Sequence, residues 1–232
     1  ALGELGEEGV RERLPHLDLP ENTKDWMKIL LFCAYQGTKN SGETTRHAAR
    51  SVAEALGCDY AEWEVDDLVE GYESTIEFVL KRQLSWQTDD LARQNIQARV
   101  RAPAIWMMAN IRNALLLATS NRSEAAVGYA TMDGDTSGGL SPIAGIDKHY
   151  LREWLRFMES NGLPESPPIK ALSQINVQNP TAELRPKDAN QTDEDDLMPY
   201  QVLDTLERAA IRDKKGPKSA LQVIRATYPQ HE

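Results

Sequence analysis

Cysteine is scarce in this sequence: 232 residues contain two, Cys33 and Cys58. Neither sits in a paired metal-ligand spacing, so a disulfide framework and a thiolate metal site are excluded, and a reducing cytoplasm is the expected setting. Long apolar runs are also missing. None approaches the roughly 20 residues that cross a bilayer, and no secretory pattern opens the chain. Basic charge is in deficit, with 26 Lys and Arg against 36 Asp and Glu, a net charge of −10. That balance argues against broad binding to nucleic acid or membrane surfaces. No internal repeat is found. What is present, 41% hydrophobic and 27% charged residues, is the composition of an ordinary globular domain with a real core.

Along the chain, residues 1–24 read as an acidic helix (Gly6 to Leu14) and a proline-bearing linker, and residues 25–232 as one domain. Met27 to Ala34 reads as a buried strand, followed by a loop over 36–43. Thr44 to Leu56 has helical periodicity and is closed by Gly57. Asp59 to Val65 alternates as a strand, and Val69 to Leu84 is helical. Strand, helix, strand in that order means a parallel pair joined by a crossover, hence an α/β fold. Asp89 to Asn113 is a long helical pattern that Pro103 interrupts. Asn95 and Arg99, four apart, share a face. Ala114 to Ala118 reads as a short buried strand. Asp147 to Asn161, Glu194 to Asp213 and Ser219 to Thr227 read as helices, and residues 163–193 as irregular.

The most informative stretch is residues 119–139, where small and polar residues follow the apolar run at 114–118. In open α/β sheets ligands bind beyond the carboxyl ends of strands. Thr119 and Glu124 stand at such an end, where a carboxylate can hold Mg²⁺ and backbone N–H groups can face phosphate. An anionic nucleotide needs clustered cations, and Arg99, Arg101, Arg112, Arg122 and Lys148 lie near this motif in sequence.

Four segments carry a resemblance: Gln94-Asn-Ile-Gln-Ala-Arg99-Val-Arg-Ala-Pro103, Ala118-Thr-Ser-Asn-Arg-Ser-Glu124-Ala, Thr131-Met-Asp-Gly-Asp135 and Pro142-Ile-Ala-Gly-Ile-Asp-Lys148. With Asn179-Pro-Thr181-Ala-Glu183-Leu and Gln191-Thr-Asp-Glu-Asp-Asp196-Leu, they resemble NAD⁺ synthase, in wording most like the synthetase domain of the glutamine-dependent form. The likeness covers residues 25–215. It implies a Rossmann-like parallel sheet with flanking helices, of the adenine nucleotide alpha-hydrolase-like, ATP pyrophosphatase type. It implies a ligase of NAD⁺ biosynthesis: ATP adenylates the nicotinate carboxylate of deamido-NAD⁺, pyrophosphate leaves, and ammonia displaces AMP to give the amide.

By the same resemblance Thr119, Lys148 and Thr181 contact ATP. Asn95, Arg99, Glu124, Tyr129, Ala130, Thr131, Met132, Asp135 and Asp196 line the deamido-NAD⁺ site, and Glu124 is a ligand of Mg²⁺. His149, with no visible partner, reads as a surface helix residue. A homodimer is implied, and the apolar residues Ile105, Trp106, Met107 and Ile111 are consistent with one, as they are with ordinary core packing. A glutaminase domain belongs to the parent enzyme.

The family's Ser-Gly-Gly-x-Asp-Ser pyrophosphate loop is not in this sequence, and Ser137-Gly-Gly139 lacks the aspartate that would replace it. Set against the family, the fold is incomplete at its N-terminus, and the neighbours of the missing strand expose an edge or a crevice. The chain alone is therefore expected to make little or no NAD⁺. Two other readings stay open: a dimerising fragment that keeps part of the dinucleotide pocket without chemistry, and another ATP pyrophosphatase.

Overall fold

The computed structural model describes residues 2–164, 166–189 and 192–229; Gln191 of the acidic motif lies outside them. Its centre is the expected strand–helix–strand unit. Strand β1 (Phe32–Gly37) and strand β2 (Asp59–Glu64) are rich in aromatic and small apolar residues that suit a pleated surface. They pair in parallel with Phe32 opposite Asp59 and Gly37 opposite Glu64. The α-helix between them, Glu43–Ala55, ends where Gly57 takes φ +70°, a left-handed turn that glycine adopts without steric cost.

The apolar run 27–34 is not one strand. The first helix, α1 (Leu2–Arg13), is interrupted at Gly6, and α2 (Trp26–Leu30) turns the chain once before β1 begins. The reason lies outside the run. Asn22 accepts a hydrogen bond from the Lys24 amide at 3.1 Å, and the Trp26 indole donates to the Pro20 carbonyl at 2.8 Å. These contacts fix a helical turn that hydropathy alone does not reveal. Trp26 then packs with Val10 and Leu19 in a small cluster.

The Glu43–Ala55 helix is α3. After β2 comes α4 (Asp66–Leu80), which starts earlier and stops sooner than the periodicity suggests; Lys81 ends it with φ +56°. The long helical pattern splits into α5 (Trp86–Arg99) and α6 (Arg101–Ile111) at Val100. Pro103 lies in the first turn of α6, where its missing N–H costs nothing. Val65, Val69 and Val100 form the core beneath β2, with Trp63 and Ile96 packed against them.

The run 114–118 is extended but joins no ladder. It makes one parallel bridge, Leu117 with Leu140, through the Ala118 amide to the Leu140 carbonyl (2.8 Å) and the Gly139 amide to the Leu116 carbonyl (2.9 Å). A ladder needs several residues of a neighbour's open edge, and the neighbour here is a glycine-bearing loop. Helices α7 (Arg122–Val127) and α8 (Lys148–Ser160) follow, and Gly162 after α8 has φ +66°. The described residues of 163–189 hold short 3-10 turns at Lys170–Leu172 and Lys187–Ala189 around α9 (Ser173–Asn176). The helix expected over 194–213 is broken at Pro199 into α10 (Asp193–Asp196) and α11 (Tyr200–Glu207), continued by a π-helical stretch Arg208–Arg212. The last helix, α12 (Pro217–Thr227), carries proline at its first position. Among the described residues no helix is long and apolar enough to cross a membrane.

Candidate active-site crevice

Sheet geometry leaves an opening. The Asp59 and Val65 amides bond the Leu31 and Gly37 carbonyls, so the backbone groups of Phe32, Ala34 and Gln36 turn to the other edge of β1. That edge and the extended 114–117 segment form two walls of a crevice of about 1690 Å³, closed by α5 and α6. The edge of β1 and the backbone of the 114–117 segment thus flank it.

Polar chemistry gathers at the carboxyl end of the 114–118 segment. Asn121 caps α7: its side chain accepts from the Glu124 amide at 3.2 Å, while Glu124 Oε2 accepts from the Asn121 amide at 3.2 Å. This box aims the other Glu124 oxygen at α8, where Lys148 Nζ sits 2.8 Å from Oε1. Lys148 is held in turn. Its amide donates to Ser123 Oγ at 2.8 Å, the His149 amide donates to Asp204 Oδ2 at 3.0 Å, and Ser123 donates to the other Asp204 oxygen. Ser123 and Asp204 are fully buried, so three elements meet through one hydroxyl and one carboxylate. The His149 side chain is exposed, as a surface helix residue.

Across the crevice, Thr131 Oγ1 donates to Asn95 Oδ1 at 3.0 Å, and the Thr131 amide donates to Asp135 Oδ1 at 2.7 Å. One turn along α5, Arg99 Nε donates to the Met132 carbonyl at 3.1 Å. The two α5 side chains therefore seat the 131–135 loop together. Tyr129 donates to Asp196 Oδ2 at 3.0 Å, and Asp196 also pairs with Arg185.

Of the residues singled out in the sequence, Asn95, Thr119, Glu124, Tyr129, Ala130, Thr131, Asp135, Lys148 and Thr181 line the crevice. Arg99, Met132 and Asp196 do not; Arg99 faces a neighbouring slot with Tyr72 and Trp106. Of the five cations near the motif, Lys148, Arg101 and Arg112 reach the crevice. Arg101 is engaged with the Gln36 and Gln97 carbonyls, Arg112 with Asp59, and Arg122 with Asp147 and Glu207.

Sequence reasoning missed Asp193. It is buried at 4% exposure, and its Oδ2 accepts from the buried Tyr200 hydroxyl at 2.8 Å. Burial pushes the Asp193 carboxyl up, and nearby Glu124 adds to the shift. Burial raises the Tyr200 hydroxyl as well. Asp135 is raised by the surrounding protein first and by Glu124 second. Four buried side-chain atoms among the described residues have no hydrogen-bond partner, and three of them, Gln36 Oε1, Ser120 Oγ and Asp193 Oδ1, belong to crevice-lining residues. Unsatisfied buried polar atoms are rare in native proteins, and three of these four belong to residues around one opening.

Comparison with known proteins gives this geometry a family. The family model for NAD synthase matches residues 31–229. This chain belongs to the NAD synthase family. It is 32% identical to glutamine-dependent NAD⁺ synthetase of Aquifex aeolicus over 84% of this chain and 32% of that protein, and 32% identical to the Oryza sativa subsp. indica enzyme over 88% and 30%. The crystal structure of a glutamine-dependent NAD⁺ synthetase from Cytophaga hutchinsonii superposes with a TM-score of 0.80 at 40% identity, over 97% of this chain and 37% of that one. The chain thus spans about a third of the length of the relatives it matches. Its fold is the Rossmann-like parallel-sheet type of the NAD synthases.

A metal site asks for more than the NAD synthase motifs supply here. Among the described residues no three His, Cys, Asp or Glu side chains converge to hold an ion. Magnesium characteristically takes one or two carboxylates together with substrate phosphates and water, so Glu124 fits as a single protein ligand to an ion carried in by a nucleotide.

Proposed function

We propose that the chain is the part of an NAD⁺ synthetase that holds deamido-NAD⁺ and one side of ATP, within a synthetase-type domain spanning residues 25–232. The observation that carries this reading is the Glu124–Lys148 pair at the end of the 114–118 segment, facing the Asn95–Thr131 pair across one crevice. In the reaction, a nicotinate carboxylate oxygen attacks the α-phosphorus of ATP, and the bond to the leaving pyrophosphate breaks. Ammonia then attacks the acyl carbon, loses a proton and expels AMP.

The residues have separable duties. Asn95 and the 131–135 loop form a wall against deamido-NAD⁺, with Tyr129, Ala130 and Asp135 on its inner side, Arg99 holding the loop from outside the crevice and Asp196 bracing Tyr129. Lys148 exchanges its Glu124 partner for phosphate oxygens when ATP enters, with Thr119 and Thr181 as hydroxyl donors. Mg²⁺, when bound, supplies charge screening of the phosphates, and Glu124, freed by Lys148, would hold it.

A second copy of the chain docks, in this proposal, on the exposed apolar side chains of α4 and α6. Tyr72, Met107 and Ile111 are exposed there, whereas Ile105 turns into the crevice. Light scattering of the purified chain reads this state directly. The glutaminase activity that would feed ammonia belongs to the whole enzyme, of the kind its relatives are.

The test of the function is NAD⁺ formation from ATP, Mg²⁺, deamido-NAD⁺ and ammonium. The expected result is little or no turnover by this chain, because its sequence has no Ser-Gly-Gly-x-Asp-Ser loop and its sheet is open beside β1. Robust turnover would mean that other residues of this chain cradle pyrophosphate.

A further inference from the structure

Glu183 has a backbone conformation that its side chain disfavours. Its φ is +49°, in the left-handed region that costs a non-glycine residue energy and persists only where the surroundings over-determine it. The surroundings do so from both sides. Its carboxylate lies on the N-terminus of α3: Oε2 accepts from the Gly42 amide at 3.1 Å, and Oε1 accepts from Thr45 Oγ1 at 2.7 Å. Gly42 is the cap residue of α3 and has no side chain to satisfy that turn, so a carboxylate far along the chain supplies the cap, and the helix dipole favours its charge. The approach is close enough that a Cβ on Gly42 would stand 2.7 Å from Glu183 Oε1.

The next carbonyl is clamped as well. Leu184 O accepts from Gln97 Nε2 at 2.7 Å and from Asn40 Nδ2 at 3.3 Å, and both amide side chains are buried. On the other side, the Glu183 amide donates to Thr181 Oγ1 at 3.3 Å, and Pro180, Thr181, Ala182 and Leu184 line the crevice. Residues 180–184 therefore form a strap whose seat is α3 and α5 and whose face is the crevice wall.

We propose that Glu183 is a positioning residue: its carboxylate, seated on the N-terminus of α3, holds the strap so that Thr181 faces the crevice. The link to catalysis rests on the reading above, in which Thr181 meets ATP. Neither the strained residue nor its helix cap touches the reacting atoms; both act through Thr181.

The test is hydrogen exchange on the free 232-residue chain, with ATP and deamido-NAD⁺ titrations alongside. Glu183→Gly keeps the left-handed backbone accessible and removes the carboxylate with the rest of the side chain, and Glu183→Gln, which keeps the side-chain carbons, separates loss of the charge from added backbone freedom. Amides 181–185 are expected to exchange about tenfold faster in this variant, the scale of one lost charged hydrogen bond, while β1 and α5 keep their protection. Gly42→Ala, which crowds the carboxylate out with Glu183 intact, reproduces the effect, and Glu183→Gln restores part of the protection. ATP binding weakens by about the same factor while deamido-NAD⁺ binding is unchanged, a split that general loosening does not produce. Should Glu183→Gly not fold, Thr45→Val removes the hydroxyl that donates to Glu183 and, more weakly, to Gln178 at 3.3 Å, and tests the same seat. Equal exchange at 181–185 in variant and parent, or uniform acceleration along the whole chain, overturns the proposal. A strap that loosens in a chain that binds no ATP supports the role of Glu183 and removes Thr181 from the ATP site.

Discussion

Lys148 Nζ lies 2.8 Å from Glu124 Oε1, and the two side chains, at 24% and 15% exposure, reach each other from the first turns of two different helices. Their sequence separation hides this, yet each helix start is built to produce it. The capping box on α7 leaves one Glu124 oxygen for the lysine, and Ser123 with Asp204 fixes the backbone from which Lys148 extends. A cation held beside a carboxylate at a strand end can be handed to an incoming phosphate.

Lys148→Met leaves that Glu124 oxygen without its partner in a mostly buried place. We expect a loss of about 1–3 kcal/mol in folding stability and no stabilisation of the variant by ATP. Chemical denaturation with and without ATP measures both. Unchanged stability together with an unchanged response to ATP would show that the pair is incidental.

Ser123→Ala removes the hydroxyl that serves two buried groups at once, leaving an Asp204 oxygen and the Lys148 amide unsatisfied. The expected cost is about 1–3 kcal/mol, read as a lower denaturant midpoint at constant slope. A midpoint equal to that of the parent would mean that water replaces the hydroxyl there.

Asp193 gives a pH dependence of definite sign. Its folded pKa is raised by burial, so the folded state binds its proton more tightly than the unfolded chain does. Stability from this group is full below the unfolded value, about 3.9, and falls as pH rises through the folded value. Asp193→Asn, which still accepts from Tyr200, is expected to be more stable than the parent at pH 7, with the difference closing on acidification. Melting temperatures from pH 4 to 8 measure it, and a constant difference across that range would contradict the assignment.

Gly138 sets the position of the end of the extended 114–118 segment. A Cβ there would stand 2.5 Å from the Ala118 amide nitrogen, a backbone contact that cannot move aside cheaply. Gly138→Ala is expected to cost about 1–3 kcal/mol and to expose the Ala118 amide, which bonds Leu140 at 2.8 Å. Hydrogen exchange at Ala118 reads this, and parent-like protection would refute it.

The fold was legible where local signals and tertiary structure agree. The Gly57 turn, the strand over 59–64 and the break before Pro103 each rest on signals within a few residues, and the strand–helix–strand order gave the parallel pairing although the first strand begins and ends later than its apolar run. It was not legible where a distant group decides. Met27 to Leu30 looks like strand, but Pro20 and Asn22 hold it in a helical turn. The run 114–118 has strand composition, but a strand exists only with a partner edge, and here Leu140 alone bridges it. The site divides the same way. Asn95, Glu124, Thr131 and Lys148 stand in motifs and converge on one crevice. Arg99, Met132 and Asp196 stand in the same motifs but lie outside it, because a helix face and a loop end turn their side chains away. Asp204 carries no local mark, and Glu183 and Asp193 stand in motifs without being singled out, since their importance comes from burial and from partners in other elements.

The most direct test of the account is calorimetric titration of the purified chain with deamido-NAD⁺, repeated with Asn95→Ala. Saturable binding by the parent chain is expected, with binding weaker by about tenfold in the variant, the scale of one hydrogen bond to a ligand-seating loop. No binding by the parent, or equal binding by both proteins, would contradict the claim that this crevice is a deamido-NAD⁺ site.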